Sequence, residues 1–294
     1  MSRISTETAQ FNQPVAVIVF FVLLFLQGAS LGKDRVASAA SPLIPRSNSN
    51  GAETGMQTRR EAIRAIPLDK LSEEARAKAD SVLSSISVFR RLPVKVIDCD
   101  PDMYLFLVRH PDVVVNIWEL LDISKLRMRQ TDDGKFTLTE PDGASVSLEF
   151  IYQSHDIHII YGEGFYRGPL LARQVNGRGL MVLRSGYVRE TNGRYYIANR
   201  LDCFINVEPI GAELLTKTVS PLVGKTADNN FLQSAVFLGS ISRTAEVNCD
   251  GIKALALKLE NVHPQTRLQL AMLAEEVKEK SSSVASRDGA AQRR

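Results

Sequence analysis

Residues 100–112 read Asp-Pro-Asp-Met-Tyr-Leu-Phe-Leu-Val-Arg-His-Pro-Asp, and this stretch decides the fold. It contains two helix starts of one design. In each, a polar residue (Asp100, His110) precedes a proline (Pro101, Pro111), and an acid follows (Asp102, Asp112). Proline lacks the N–H that the first helical turn leaves unpaired, and its φ is already helical. The acid then faces the positive end of the helix dipole. The pattern predicts two short helices in tandem, Pro101–Arg109 and Pro111–Leu121. The second is rich in Val and Ile, which are weak helix formers. Its cap, and the shared face of Val114, Trp118 and Leu121, favour a helix nonetheless.

Upstream, Leu92 to Ile97 reads as a short strand. Before it, Leu71, Ala75, Ala79, Val82, Ile86 and Phe89 recur at three- and four-residue steps. This predicts one amphipathic helix over 69–89, with Ser72 as cap. Such a helix packs on its own domain or offers a face to a partner.

Downstream, 125–208 reads as antiparallel β structure. Leu126 and Met128 alternate with charged residues, and Val146, Leu148, Phe150 and Tyr152 share a strand face. Asp132-Asp133-Gly134 and Pro141-Asp142-Gly143 are turns, and Asn192-Gly193 signals a type I′ hairpin. The glycine-rich stretch Gly162–Gly179 is longer than a plain hairpin connection. About six strands in a meander result. A long helix over 226–247 follows, then a break at Gly251, an amphipathic helix from Pro264 to Lys280 and a polar tail from Ser281.

This order of elements resembles the START-like, or helix-grip, superfamily of lipid-transfer and polyketide-cyclase-type domains. The resemblance covers roughly 92–250. It rests on the tandem Pro101 and Pro111 starts, the Thr191-Asn192-Gly193-Arg194 hairpin and the helix after Pro221. It implies an α+β fold. A curved antiparallel sheet of six to seven strands grips a long C-terminal helix, with two short helices after the first strand and an extra helix at the N-terminal side. It also implies a cavity for a lipid or other hydrophobic small molecule, more often for binding than for catalysis. Fold alone does not decide between these.

The chain begins differently. Val15–Gly32 contains no charged residue, Arg3 precedes it, and Gly28-Ala29-Ser30 and Ala37-Ser38-Ala39-Ala40 supply small residues after its apolar centre. These are the parts of a secretory signal. The stretch is also at the lower length limit of a membrane span. Residues 1–32 are therefore read as a cleaved signal peptide or an uncleaved anchor that puts 15–32 in the membrane. Either places the remainder outside the cytoplasm, in the cell envelope or secreted. Residues 33–67, rich in Ser, Ala, Asn and Gly, read as a flexible linker. The segments that follow are 68–91 (amphipathic helix), 92–250 (the α+β domain) and 251–294 (C-terminal helix and tail).

With 36 Lys+Arg against 33 Asp+Glu and no basic block, nothing points to nucleic acid. The cysteines Cys99, Cys203 and Cys249 are widely spaced and form no C-x-x-C, which argues against zinc. They are compatible with one disulfide or three buried thiols. His155 and His158 are three apart at a turn and strand, where odd spacing sends side chains to opposite faces. Cys99, near a helix start, has no histidine placed to act as its base. Gly162–Gly168 lacks the Gly-Lys-Ser/Thr of a phosphate loop. No residue is assigned to catalysis, a metal or a cofactor. Seven arginines between Arg167 and Arg200 would suit an anionic headgroup, or simply solvated strand faces. The candidate pocket residues are Trp118, Tyr152 and Phe231, with Arg184, which shares a strand face with Leu180 and Val182 and is expected to point inward. Two further readings remain: a non-catalytic envelope interaction protein using the helices at 69–89 and 264–280, and a cyclase- or hydrolase-type enzyme.

Overall fold

A computed structural model of the chain describes residues 52–141, 143–167, 174–208 and 220–291, the backbone alone at 220–227 and 284–291. The apolar leader, most of the expected linker, and Arg173 lie outside the described residues. Among the described residues, no helix is long and apolar enough to cross a membrane.

The two proline-started helices form where expected, α3 at Pro101–Arg109 and α4 at Pro111–Leu120. Asp100 caps α3, its Oδ1 accepting from the backbone N–H groups of Asp102 and Met103 at 3.0 and 3.1 Å. His110 makes no side-chain cap for α4. Its preceding-residue geometry (φ −118°, ψ 66°) turns the chain, and the proline supplies the start.

Eight strands form one antiparallel sheet: β1 Val88–Arg91, β2 Lys95–Asp98, β3 Arg127–Asp132, β4 Lys135–Glu140, β5 Ala144–Gln153, β6 Ile157–Tyr166, β7 Val175–Arg189 and β8 Tyr195–Val207. Their order is β1-β8-β7-β6-β5-β4-β3, with β2 also on β8. The strand expected at 92–97 is β2, beginning at Lys95, and β1 precedes it at Val88–Arg91. Both pair with β8, Val88 opposite Ile205 and Lys95 opposite Asn199, interrupted around Pro93, which has no N–H to give a ladder. Strand β1 also takes the last turn of the helix expected over 69–89. Helix α2 spans only Glu73–Leu83, capped by Ser72, whose Oγ accepts from the Ala75 N–H at 3.2 Å.

The glycine-rich stretch is mostly strand. Gly162 lies opposite Gly179, and Gly164 opposite Gly177, in the β6–β7 ladder. At Gly164 an added Cβ would sit 2.3 Å from the Ser145 carbonyl oxygen, so glycine is required by the close approach of β5. The β7–β8 turn is not type I′. Only Gly193 has positive φ (84°), the Gly193 N–H donates to the Glu190 C=O, and the Glu190 N–H donates to the Arg194 C=O. That is a three-residue loop closing on a left-handed glycine.

Helix α1, Met56–Arg64, lies inside the stretch expected to be linker, and Ala62 and Ile66 are buried. With α2 it covers one face of the sheet, where Phe89, Ile159, Tyr161, Leu180, Val182 and Phe204 form a closed apolar layer. The opposite face meets α3, α4 and the long helix α5, Ser220–Val247. Beyond α5 come α6, Cys249–Leu257, and α7, Pro264–Ala291, whose Ile252, Leu270, Ala274 and Val277 join the same core. Gly251 sits inside α6 rather than breaking a helix, because the Asn248 side chain caps its N–H. The tail expected from Ser281 continues α7. The molecule is therefore three-layered: α1–α2, sheet, and α3–α7.

Candidate functional site

Between the sheet and α5 lies a cavity of about 110 Å³. Phe136 of β4, Leu148 and Phe150 of β5, Ile160 of β6, Met181 and Leu183 of β7, and Asn199 and Leu201 of β8 all reach it. Five adjacent strands span ~19 Å if flat. They meet at one small cavity only because the sheet coils around it. Tyr104, Leu107 and Val108 of α3, the corner at Pro111, and Val114, Val115 and Trp118 of α4 close one side. Phe231, Ser234, Ala235 and Leu238 of α5 close the other. Trp118 meets Phe237 of α5 edge-on, ring centroids 5.7 Å apart.

Two of the four expected pocket residues, Trp118 and Phe231, line this cavity; Tyr152 and Arg184 do not. Tyr152 packs with the closed layer under α1–α2. Arg184 does share a face with Leu180 and Val182, but that is the same opposite face, where its guanidinium donates to the Ala65 C=O at 2.6 Å. In β7 both alternating sets are apolar (Leu180 and Val182, Met181 and Leu183), so parity was correct while the choice of face was not.

The cavity has a polar corner that was not expected. The Tyr104 hydroxyl donates to the Asn199 Oδ1 and accepts from the Ser185 hydroxyl at 2.6 Å. Burial raises the Tyr104 phenol well above its ordinary value, so it stays protonated. Asn199 had a legible signal: it is the lone polar residue in the β8 row Ile197, Asn199, Leu201, Cys203, Ile205. Next to the wall, His158 is fully buried, T-shaped against Phe150 at 6.2 Å and opposite Leu183, with neither ring nitrogen hydrogen-bonded. Burial pushes its pKa down to about 4. Asp112, buried in the first turn of α4, is pushed up to about 6, also by burial.

The other candidates are occupied structurally. Cys99, Cys203 and Cys249 are free and buried, and burial pushes the Cys99 thiol to about 12, far from a nucleophile. His155 stacks on Tyr187 at 4.2 Å, away from His158's buried position. Arg194 pairs with Asp98 at 2.6 Å, and Arg189 lies over the Tyr195 ring. Among the described residues, the arginines from Arg167 to Arg200 do not all converge on one headgroup site. Among the described residues no group of His, Cys, Asp and Glu is arranged to hold a metal ion.

The fold and cavity define a class of architecture: an antiparallel sheet coiled around a long helix, enclosing an apolar space. No family model matches the chain, and no curated protein does. Among solved structures, a truncated norcoclaurine synthase from Thalictrum flavum is similar at 13% identity and TM-score 0.36, over 53% of this chain and 94% of that one. A hypothetical protein of Helicobacter pylori matches at 13% identity and TM-score 0.32, over 51% and 87%. The protein Mll3558 of Rhizobium loti matches at 12% identity and TM-score 0.31, over 52% and 96%. None superposes closely enough to bear on function, and the architecture rests on the sheet order and cavity described above.

Proposed function

We propose that this protein binds a hydrophobic small molecule between its sheet and α5, without catalysing a reaction, as a START-like module of the cell envelope. One observation carries the reading: a cavity between the sheet, α3–α4 and α5, lined almost wholly by apolar side chains. Such a space favours an apolar guest, oriented by a few polar groups. At about 110 Å³ it is smaller than the apolar cavity of about 150 Å³ that accepts benzene, which rules out a whole lipid and favours a guest no larger than a single ring. The apolar segment at 15–32 supports export, as a cleaved signal or an anchor. Native mass spectrometry of protein from its own host tests the binding. A bound apolar species, released on unfolding, is expected. Protein that is empty from its host and also refuses xenon under pressure overturns the reading.

A second reading, a partner-binding protein, is favoured by exposed apolar residues on the outer helices, Leu257 of α6 and Leu268 and Met272 of α7. Leu268 and Met272 are four residues apart on one helix face. Crosslinked pull-down with and without Leu268→Glu/Met272→Glu separates it from the first. The expected partner is lost with the charges if this reading holds, while cavity binding is unchanged.

A further inference from the structure

The polar corner limits what the cavity accepts. Asn199 is 3% exposed and fixed at both ends of its amide. Its Oδ1 accepts from the Tyr104 hydroxyl, which orients the group, and its Nδ2 donates to the Ile197 C=O at 3.3 Å. An amide nitrogen carries two N–H groups. One is spent on Ile197, and the other makes no hydrogen bond to a described residue, while Asn199 lines the cavity. Tyr104 has given its only proton to Asn199, so the corner has a spare donor in Asn199.

The rest of the wall is uncharged. No Asp, Glu, Lys, Arg or His lines the cavity among the described residues. The arginines next in sequence to lining residues are on the opposite face of the sheet: Arg184 donates to the Ala65 C=O, and Arg200, between Asn199 and Leu201, lies opposite Arg184 in the β7–β8 ladder. His158, behind Phe150 and Leu183, is held neutral by burial. An ionised carboxylate brought here would lose its water and find no cation, a loss far larger than one hydrogen bond returns.

We infer that the cavity selects neutral, ring-sized molecules bearing one carbonyl or hydroxyl oxygen, which accepts from Asn199, and rejects carboxylates. The inference rests on the binding reading above, and adds the chemical class of its ligand. Fatty acids and other anionic amphiphiles fall outside that class; ketones, alcohols and esters of compact apolar skeletons fall inside it.

Titration calorimetry or NMR shift mapping on the full chain tests this with benzene, acetophenone and benzoate. Acetophenone and benzoate have the same number of heavy atoms, so their difference is charge. Acetophenone is expected to bind about tenfold tighter than benzene, the return on one buried hydrogen bond. Benzoate is expected to bind at least ~100-fold more weakly than acetophenone. Asn199→Leu is expected to erase the preference for acetophenone while leaving benzene unchanged or improved. If that variant fails to fold, Tyr104→Phe frees the amide from its orienting bond, and is expected to reduce the preference. Benzoate binding as tightly as acetophenone, or a preference that persists in both variants, overturns the inference. If benzene and xenon do not enter either, the binding reading itself has failed and the inference falls with it.

Discussion

The two faces of the sheet are built from the same strands and differ in what they tolerate. Adjacent arginines on β1 first show what the faces share, a paired charge. Arg91 turns under α1–α2 and grips Asp202 with a two-pronged pair at 2.7 and 3.2 Å. Arg90 turns the other way and grips Asp228 of α5 at 2.8 and 2.6 Å. On the closed face the charge is paired inside a filled layer, with Asp202 1% exposed. On the cavity side, the buried ionisable groups His158 and Asp112 are instead driven toward their neutral forms. One face is solid and spends its polarity on structure. The other keeps a gap whose lining carries no charge, with the Arg90–Asp228 pair outside that lining.

The largest test of that contrast is to empty the solid face. Phe204 is fully buried and meets the Phe89 ring at 5.1 Å. Phe204→Ala is expected to destabilise by about 3–5 kcal/mol, read from the urea midpoint. The effect should exceed that of Phe231→Ala, whose ring already borders empty space.

Next comes pH. The native value of His158, about 4, lies below its ordinary 6.5, so the folded state prefers the neutral ring. Stability from this residue is complete above pH 6.5 and is lost as pH falls toward 4, by about 3 kcal/mol. Asp112 works in reverse. Its native value, about 6, is above the ordinary 3.8, so folding is penalised as pH rises from 3.8 through 6. The two slopes oppose each other in the same window. His158→Leu should flatten the acid limb and leave stability falling with pH between 4 and 6. Asp112→Asn should stabilise at pH 7.5 and have no effect near pH 3. Chemical denaturation across pH 3–8 measures both.

The smallest test uses one substitution on each face. Ala79 of α2 is fully buried on the solid side, and Ala235 of α5 lines the cavity. Ala79→Leu should cost about 1–3 kcal/mol by overpacking. Ala235→Leu should be neutral or gain up to about 2 kcal/mol by filling space. Equal losses at both sites would mean that the two faces do not differ.

Much of this architecture is legible in the chain, and the gaps have physical causes. The proline starts of α3 and α4 are local chemistry, and both fall on the expected residue. The long strands follow from alternation. The face of the cavity does not, because β7 is apolar on both sides, and alternation loses its meaning in a strand buried twice. Arg184 goes with Leu180 and Val182 under α1–α2, and Tyr152 leaves the face of Phe150 because a bulge between them shifts the register of β5 on β6. Phe89 fits a helical step as well as a strand, and only pairing with β8 decides between them. Helix α1 buries little beyond Ala62, so its sequence lacks a stripe to announce it. The polar corner spans residues 104, 185 and 199, a meeting that no local pattern encodes.

The pairing of β1 and β2 with β8 also sets an order of assembly. Arg91 and Asp202 are 111 residues apart, whereas β3 through β8 are joined by hairpins to their neighbours. Contacts between near neighbours in sequence close quickly, and distant ones wait for the loop-closure entropy to be overcome. The meander can form as its strands appear, but β1 has nothing to add to until Tyr195–Val207 exists. Until then the first strand is unpaired and α1–α2 lack much of the surface they cover. A chain stopped short of β8 would hold most of the sheet and neither finished face, and β8 is thus the strand on which a growing chain commits to its native state.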